Sequence, residues 1–136
     1  MTAACLFAAG TLVATLADPA FSVAWTHSVA KTRWVESYRV EGVSLRLIEA
    51  SVEGSGAGME PPPEAVRRDG RWHWRPGRAL PELVLARSRH AGDYALCTAG
   101  GCRELAALAG PPADGQAVVI RPCDAHGAAP GVSSAR

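Results

Sequence analysis

The chain has 136 residues and a formal net charge of +1, with 14 basic residues against 13 acidic ones. A chain of this length makes one domain, and 48% apolar residues are enough for a hydrophobic core, which excludes wholesale disorder. Because the charge is nearly balanced, composition gives no support to a nucleic-acid or anionic-membrane partner. The 14 glycines and 10 prolines leave little room for long helices and favour short strands joined by turns.

The first apolar stretch, residues 3–17, predicts a β-hairpin instead of a membrane segment or export signal. It is shorter than the roughly 18 to 20 apolar residues of a spanning helix, and the first basic residue is Lys31. Gly10 interrupts the run, and the residues after it are typical of strands. We therefore expect strands at residues 5–8 and 11–16, with no transmembrane segment and no typical signal peptide in this chain.

Three further strands are expected to form a meander. In residues 21–28 large apolar side chains alternate with small ones, which is the pattern of a half-buried strand. A similar alternation occupies residues 34–40, and a turn then leads into a third strand at residues 43–52. Residues 54–64 are expected to be a loop, because their proline run can form neither a helix nor a central strand.

The Asp69-Gly70 pair is the strongest hairpin signal in the chain. The remaining strands are predicted at residues 65–68, 71–75, 83–88, 93–97 and 116–121. One short helix is predicted at residues 102–109, where two leucines lie three residues apart before a Gly-Pro stop signal. Residues 1–123 are thus expected to form one all-β domain, a small antiparallel barrel or sandwich of about eight or nine short strands. Residues 124–136 are expected to be a flexible tail.

Four cysteines form an even set in this small chain: Cys5, Cys97, Cys102 and Cys123. They allow three pairings. The spacing favours a bond between Cys97 and Cys102, which flank a glycine-rich turn, and a bridge from Cys5 to Cys123 would tie the two ends of the chain together. The chain-entropy relation gives about 2 kcal/mol for the short bridge and about 5 kcal/mol for the long one. A zinc site is a poor match, because the Cys-x4-Cys spacing is not that of a zinc knuckle. Four reduced, buried cysteines in a cytosolic protein are the other alternative.

The glycines at Gly54, Gly56 and Gly58 raise the possibility of a phosphate-binding loop. Such loops lead into a helix whose N-terminus holds the anion, whereas prolines follow here, which favours a close-packed turn. A third interpretation is that the segment holds Met59 and Glu60 rigidly. One carboxylate would then project at a fixed place for recognition of a ligand or partner.

His27 and Glu36 are candidates for catalysis. Ser28 points to the opposite face of the strand from His27, so a nucleophile would have to come from elsewhere, such as Ser55, with Glu36 orienting His27. His27, Glu36 and Glu60 could also hold a divalent metal ion, but nothing fixes their spacing. We therefore expect no catalytic residue, no metal and no cofactor. A small hydrolase or metal-dependent enzyme centred on His27, Glu36 and Glu60 is the alternative.

The four tryptophans divide into two pairs. Trp25 and Trp34 have apolar companions on their strands and are predicted to be core. Trp72 and Trp74 project from one face of the Asp69-Gly70 hairpin, with Arg71, His73 and Arg75 on the other. That hairpin is either a core element with a basic outer face, which the pairing of tryptophans favours, or a binding blade. A binder of small ligands at the barrel mouth would instead have a cavity lined by Trp72, Trp74 or the loop of residues 54–63.

Several motifs together resemble one bacterial family. They are Trp25-Thr26-His27-Ser28-Val29 followed by Lys31-Thr32-x-Trp34, then Val52-x-Gly54-Ser55-Gly56-Ala57-Gly58-Met59-Glu60-Pro61-Pro62-Pro63, Leu96-Cys97, Gly101-Cys102-Arg103 and Pro122-Cys123. With them the chain is similar, over nearly its whole length, to the family of domain of unknown function 1850. The resemblance implies a small protein encoded beside TRAP-type solute transporters of the TAXI branch. It supplies no catalytic residues.

What the resemblance implies about function is an accessory role in solute uptake. We therefore expect a non-enzymatic β-domain that is exported and is periplasmic or membrane-associated. Its expected partners are the transporter permease or the solute-binding protein, and no nucleic acid.

Overall fold

The computed structural model describes residues 2–27, 31–54 and 61–124, in which the chain forms twelve strands and one helix. In chain order the elements are β1 (Thr2–Ala8), β2 (Thr11–Leu16), β3 (Ala20–Thr26), β4 (Arg33–Glu41), β5 (Ser44–Glu53), β6 (Val66–Arg68), β7 (Arg71–Trp74), β8 (Arg78–Leu80), β9 (Leu83–Arg87), β10 (Ala95–Thr98), β11 (Gly101–Glu104), α1 (Ala106–Ala109) and β12 (Gln116–Asp124).

The strands form two antiparallel sheets that pack face to face. The smaller sheet has the order β2-β1-β12-β9, and the larger has the order β11-β10-β3-β4-β5-β7-β6, with β8 also paired to β5. Each sheet keeps open edges, so the described residues confirm the all-β sandwich and not the barrel. The predicted meander is confirmed as β3, β4 and β5, which are neighbours in the larger sheet.

The hydrophobic core lies between the two sheets. Leu6 and Ile120 of the smaller sheet and Val23 and Leu45 of the larger sheet are each 0% exposed. Full burial of such a side chain stabilises a fold by about 1.5 to 3 kcal/mol. Leu105, also 0% exposed, adds the segment before α1 to the same core.

The predicted helix at residues 102–109 begins later than expected. Residues Gly101–Glu104 form strand β11 beside β10, and the Leu105 amide continues that ladder by donating to the Tyr94 carbonyl at 2.8 Å. The helix starts only at Ala106, whose amide donates to Asp93 Oδ2 at 2.7 Å. Cross-strand pairing therefore prevails over the helical spacing of the leucines. The structure has twelve strands in its described part, more than the predicted eight or nine, and β8 and β11 are the two that no predicted strand segment covers.

The β6–β7 hairpin turns at Asp69 and Gly70, as the sequence predicts. Both residues have positive φ, +56° and +75° respectively. This is the requirement of a two-residue type I′ turn, which glycine meets without strain. The Gly70 carbonyl also accepts the Gly54 amide at 3.1 Å, which ties the hairpin to the end of β5.

Both predicted disulfide bonds are present, so the zinc and reduced-thiol alternatives are wrong. Cys5 of β1 and Cys123 of β12 are 0% and 1% exposed, and their bond spans a sequence separation of 118. Cys97 and Cys102 lie directly opposite each other in β10 and β11. Two disulfides in so small a domain indicate an oxidising environment. No helix in the described part of the chain has the length and apolar character needed to span a bilayer.

Candidate functional site

All four tryptophans lie close together on the inner face of the larger sheet, three of them in one cross-strand row. The strand register places Trp25 opposite Trp34, Trp34 opposite Val52, and Val52 opposite Trp72, with Trp74 two residues further along the same face of β7. Each of the four side chains is half-buried. The sequence separated them into a core pair and a hairpin pair, whereas the structure joins them. We call Trp25, Trp34, Trp72 and Trp74 the tryptophan row.

Three rings of the tryptophan row, those of Trp25, Trp34 and Trp74, contact one another at an end of the sheet. Trp25 stacks on Trp34 with 6.1 Å between ring centroids, and Trp34 meets Trp74 edge-on at 6.0 Å. Such pairs stabilise by about 0.5 to 1.5 kcal/mol beyond their buried area. Among the described residues, the cluster between the sheets contacts Trp25 at its margin but includes none of the other three.

Two indole N–H groups in this row have no acceptor among the described residues. The Nε1 atoms of Trp34 and Trp72 are buried and make no hydrogen bond. A buried donor without a partner costs about 1 to 3 kcal/mol. Within the part of the chain that the structure describes, these two donors therefore mark a place where the fold forgoes stability.

The β6–β7 hairpin places exposed arginines beside the row, at an edge of the larger sheet. The Arg67 guanidinium lies 5.6 Å from the centre of the Trp72 ring, on the same face. Arg67, Arg68 and Arg75 are exposed, and none of them has an ion pair with any described acidic residue. The hairpin thus combines uncompensated positive charge with aromatic surface.

The other face of the hairpin is a structural contact. The Arg71 side chain donates to Ser51 Oγ at 3.1 Å and to the Arg33 carbonyl at 3.0 Å, and His73 Nδ1 lies 3.2 Å from Glu49 Oε1. These side chains are half-buried and anchor β7 to β5 and β4. The sequence predicted a basic outer face of Arg71, His73 and Arg75. Of these three, only Arg75 is exposed and makes no side-chain hydrogen bond or ion pair with a described residue.

Glu36 is engaged in a hydrogen bond on the inner face of the sheet. The Tyr38 hydroxyl donates to Glu36 Oε1 at 2.7 Å. Burial of the phenol raises the pKa of Tyr38 well above its usual range, and the hydrogen bond and negative charge of Glu36 raise it further. At neutral pH Tyr38 is therefore a neutral phenol that donates its proton in the hydrogen bond to Glu36.

The register does not bring His27 and Glu36 together. The cross-strand partner of Glu36 is Val23. His27 lies four residues beyond Val23 in the same extended segment, which corresponds to about 13 Å along the strand. Ser55, Gly56, Gly58, Met59 and Glu60 lie outside the described residues. The enzyme alternative that combines His27, Glu36 and Glu60 therefore stays a prediction.

His27 instead lies at a cleft of about 210 Å³ beside Trp25 and Tyr94. The two other charged residues that line this cleft, Arg87 and Asp93, form an ion pair with each other. The Arg87 side chain is 0% exposed, and its Nη2 atom lies 3.2 Å from Asp93 Oδ2. Arg87 also donates to the Gly110 carbonyl at 2.7 Å, so this ion pair is a structural tie between β9 and the segment around α1. Burial raises the pKa of Tyr94, with the charge of Asp93 the next cause.

The described ranges 2–27, 31–54 and 61–124 hold no group of three or more His, Cys, Asp or Glu residues that could bind a metal ion. Neither this cleft nor a larger one of about 440 Å³, which lies between β2 and the β10–β11 hairpin, is lined by Trp72 or Trp74. The ligand cavity predicted at these two tryptophans is thus not among them. The contact of Arg67 with Trp72 was not predicted, although a two-residue turn at Asp69-Gly70 places these residues opposite each other.

The comparison with known families gives one match. Residues 21–105, more than half of the chain, match the family described as domain of unknown function (DUF1850). The matched part contains the whole tryptophan row and the β6–β7 hairpin. Neither the curated proteins nor the solved structures gave a significant match. The chain belongs to the family of domain of unknown function 1850.

Proposed function

We propose that this protein is a non-enzymatic, exported binding module that assists a TRAP-type solute uptake system in the periplasm. Its partner is the transporter permease or the solute-binding protein, and the contact is made by the β6–β7 hairpin. The observation that carries the proposal is the combination, at one sheet edge, of exposed arginines that pair with no described acidic residue and of the Trp72 ring on which Arg67 packs.

The residue types of this edge are those of protein interfaces. Tryptophan and arginine are enriched among the residues that dominate binding energy. Residues 64–78 contain five arginines and only two acidic residues, so an acidic surface on the partner is the complementary match. Strand β6 ends the larger sheet, and Val66 on it is 59% exposed. An exposed apolar side chain beside the arginines adds contact surface for such a partner.

The compartment and the partner class are supported by separate arguments. The two disulfide bonds favour an oxidising compartment, for which the periplasm is the bacterial case. The transporter partnership is supported by the resemblance to a family encoded beside such transporters. It is an inference by association and needs a direct test.

The test compares two charge reversals in a strain that lacks the chromosomal copy. The variant Arg67→Glu/Arg68→Glu changes the hairpin, whereas Arg39→Glu changes an exposed strand arginine of β4, away from the hairpin, with no ion pair to a described acid. We expect the hairpin variant to reduce both solute uptake and co-purification of transporter components at least tenfold, which corresponds to about 1.4 kcal/mol or more. The Arg39→Glu protein is expected to behave as wild type.

The proposal fails if the deletion strain takes up solute normally and no permease or solute-binding protein co-purifies with the wild-type protein. If a component co-purifies equally with both variants, the partnership stands but the hairpin is not the contact. Circular dichroism and thermal unfolding of each variant establish that a loss of binding does not come from a loss of fold.

A further inference from the structure

A second cleft, of about 440 Å³, opens at the edge of the larger sheet opposite the β6–β7 hairpin. It lies between β2, the edge strand of the smaller sheet, and the β10–β11 hairpin, the edge of the larger one. Its volume is within the roughly 300 to 1,000 Å³ of small-molecule sites. Because both bordering strands are sheet edges, the sandwich is open along this side.

The floor of the cleft is apolar. Leu96, which is 3% exposed, reaches it from the core. Leu16 and Ala14 of β2 line one wall, and Leu108 of α1 adds to the floor; all three are half-buried. Such a surface favours a hydrocarbon group, at about 25 cal/mol for each Å² removed from water.

The two charged residues of the cleft, Asp18 and Arg103, differ in their hydrogen bonds. The Asp18 carboxylate accepts two main-chain N–H groups, from Ala20 at 2.9 Å and from Ala99 at 3.3 Å, so it joins the two turns at one end of the cleft. The Arg103 side chain is exposed and makes no hydrogen bond or ion pair with any described residue. Because Arg103 lies directly opposite Leu96 in the register of β10 and β11, it is on the inner face of the sheet.

We propose that this cleft binds a small amphipathic carboxylate. The hydrocarbon part packs on Leu16, Leu96 and Leu108, and the carboxylate pairs with the Arg103 guanidinium. A planar guanidinium can bind both oxygens of a carboxylate at once, which makes the pair stronger than a neutral hydrogen bond. The proposal does not rest on the proposed function, since the two sites occupy opposite edges of the larger sheet.

Octanoate and 1-octanol are suitable probes because they share the alkyl chain and differ in charge. We expect octanoate, titrated into the oxidised full chain, to shift the backbone amide NMR signals of β2, β10 and β11 in a saturable manner. Octanol is expected to bind at the same place about 10- to 100-fold more weakly, which is the contribution of a hydrogen bond to a charged group. Arg103→Gln should reduce the affinity for octanoate by the same factor and leave that for octanol unchanged.

Two further variants make the test specific. Arg39→Gln removes an exposed, unpaired arginine on β4 and should leave both affinities unchanged. Ala14→Leu fills the cleft while Arg103 stays in place, so it should weaken octanoate and octanol alike. The proposal is overturned if octanoate binds no better than octanol, if Arg39→Gln weakens it as much as Arg103→Gln, or if the shifted amides lie outside the cleft. Absence of saturable binding at millimolar octanoate also overturns it.

Discussion

The two disulfide bonds are expected to differ in how strongly they stabilise the fold. The Cys5–Cys123 bond spans a sequence separation of 118, and the Cys97–Cys102 bond one of 5. If the bonds act by restricting the unfolded chain, the loop-closure relation gives about 4.9 kcal/mol for the long bridge and about 2.1 kcal/mol for the short one. The difference of about 3 kcal/mol is a large part of the 5 to 15 kcal/mol by which a domain is typically stable.

The measurement uses two variants that each keep one bridge. Cys97→Ala/Cys102→Ala keeps the long bridge, and Cys5→Ala/Cys123→Ala keeps the short one. The free energy of unfolding is determined by urea titration for each variant, with and without reductant. Because the oxidised and reduced forms of one variant carry the same alanines, their difference removes the cost of the substitutions. We expect reduction to cost the first variant about 3 kcal/mol more than the second.

Equal losses on reduction, or a larger loss for the short bridge, would refute this reasoning. Cys5 and Cys123 are almost fully buried, so a pair of reduced thiols there must also be accommodated in a packed core. A loss far above about 5 kcal/mol for the long bridge would show that this packing, and not chain entropy, dominates.

Three further predictions concern stability. Since the pKa of Tyr38 is raised, unfolding at alkaline pH releases a proton, and the free energy of unfolding should fall by about 1.4 kcal/mol for each pH unit above 10. Urea titrations at pH 9 to 11 should show that Tyr38→Phe removes that part of the slope, and an unchanged slope contradicts the assignment. Arg87→Met should cost about 3 to 5 kcal/mol, because it leaves Asp93 without its buried partner. Arg87→Met/Asp93→Asn should cost less than the single change in thermal unfolding, and an equal or larger cost would count against the ion pair. Gly70→Ala should cost about 1 to 2 kcal/mol because φ is +75° there. Gly92→Ala, at a residue with no positive φ and open space around its Cβ, is the control that should cost less.

The features that the sequence predicted correctly depend on residues close to one another. The Asp69-Gly70 turn specifies a hairpin because few residue pairs accept two positive φ values. The glycine-rich turn between Cys97 and Cys102 brings their side chains together for the same local reason. The long bridge joins the two cysteines that remained, and it ties the two ends of the chain together.

The predicted helix began too early, because the prediction used the spacing of the leucines and not the pairing of residues 101–104 with strand β10. Leu105 and Leu108 have helical spacing, yet Leu105 is buried where the β10–β11 ladder ends and not on a helix face.

The alternation of buried and exposed residues in strand β5 is also interrupted. Its buried apolar residues change from odd to even positions after Leu47, and a bulge opposite Ser37 and Tyr38 accounts for the change. Such a break in the alternation is visible in a sequence, but its position is fixed only by the partner strand.

The tryptophan row could not be derived from the sequence, because it depends on strand order. Trp34 and Trp74 come together only because β5 lies between β4 and β7, and nothing local specifies that order. The contact of Arg67 with Trp72 is different. It follows from the register of a two-residue hairpin loop and was available from the sequence.

The unpaired arginines raise a question about sheet edges. Charged residues on edge strands prevent pairing between molecules, so Arg67 on β6 and Arg103 on β11 would be useful even without a ligand. For Arg67, whose guanidinium is exposed and packs on Trp72, edge protection is compatible with a role in binding an acidic partner. It explains Arg103 less fully, because this side chain faces an apolar cleft in which no described ring or carboxylate contacts it. A charge that served only to block pairing would not need a cleft beside it, and this difference makes Arg103 the residue whose substitution is most informative.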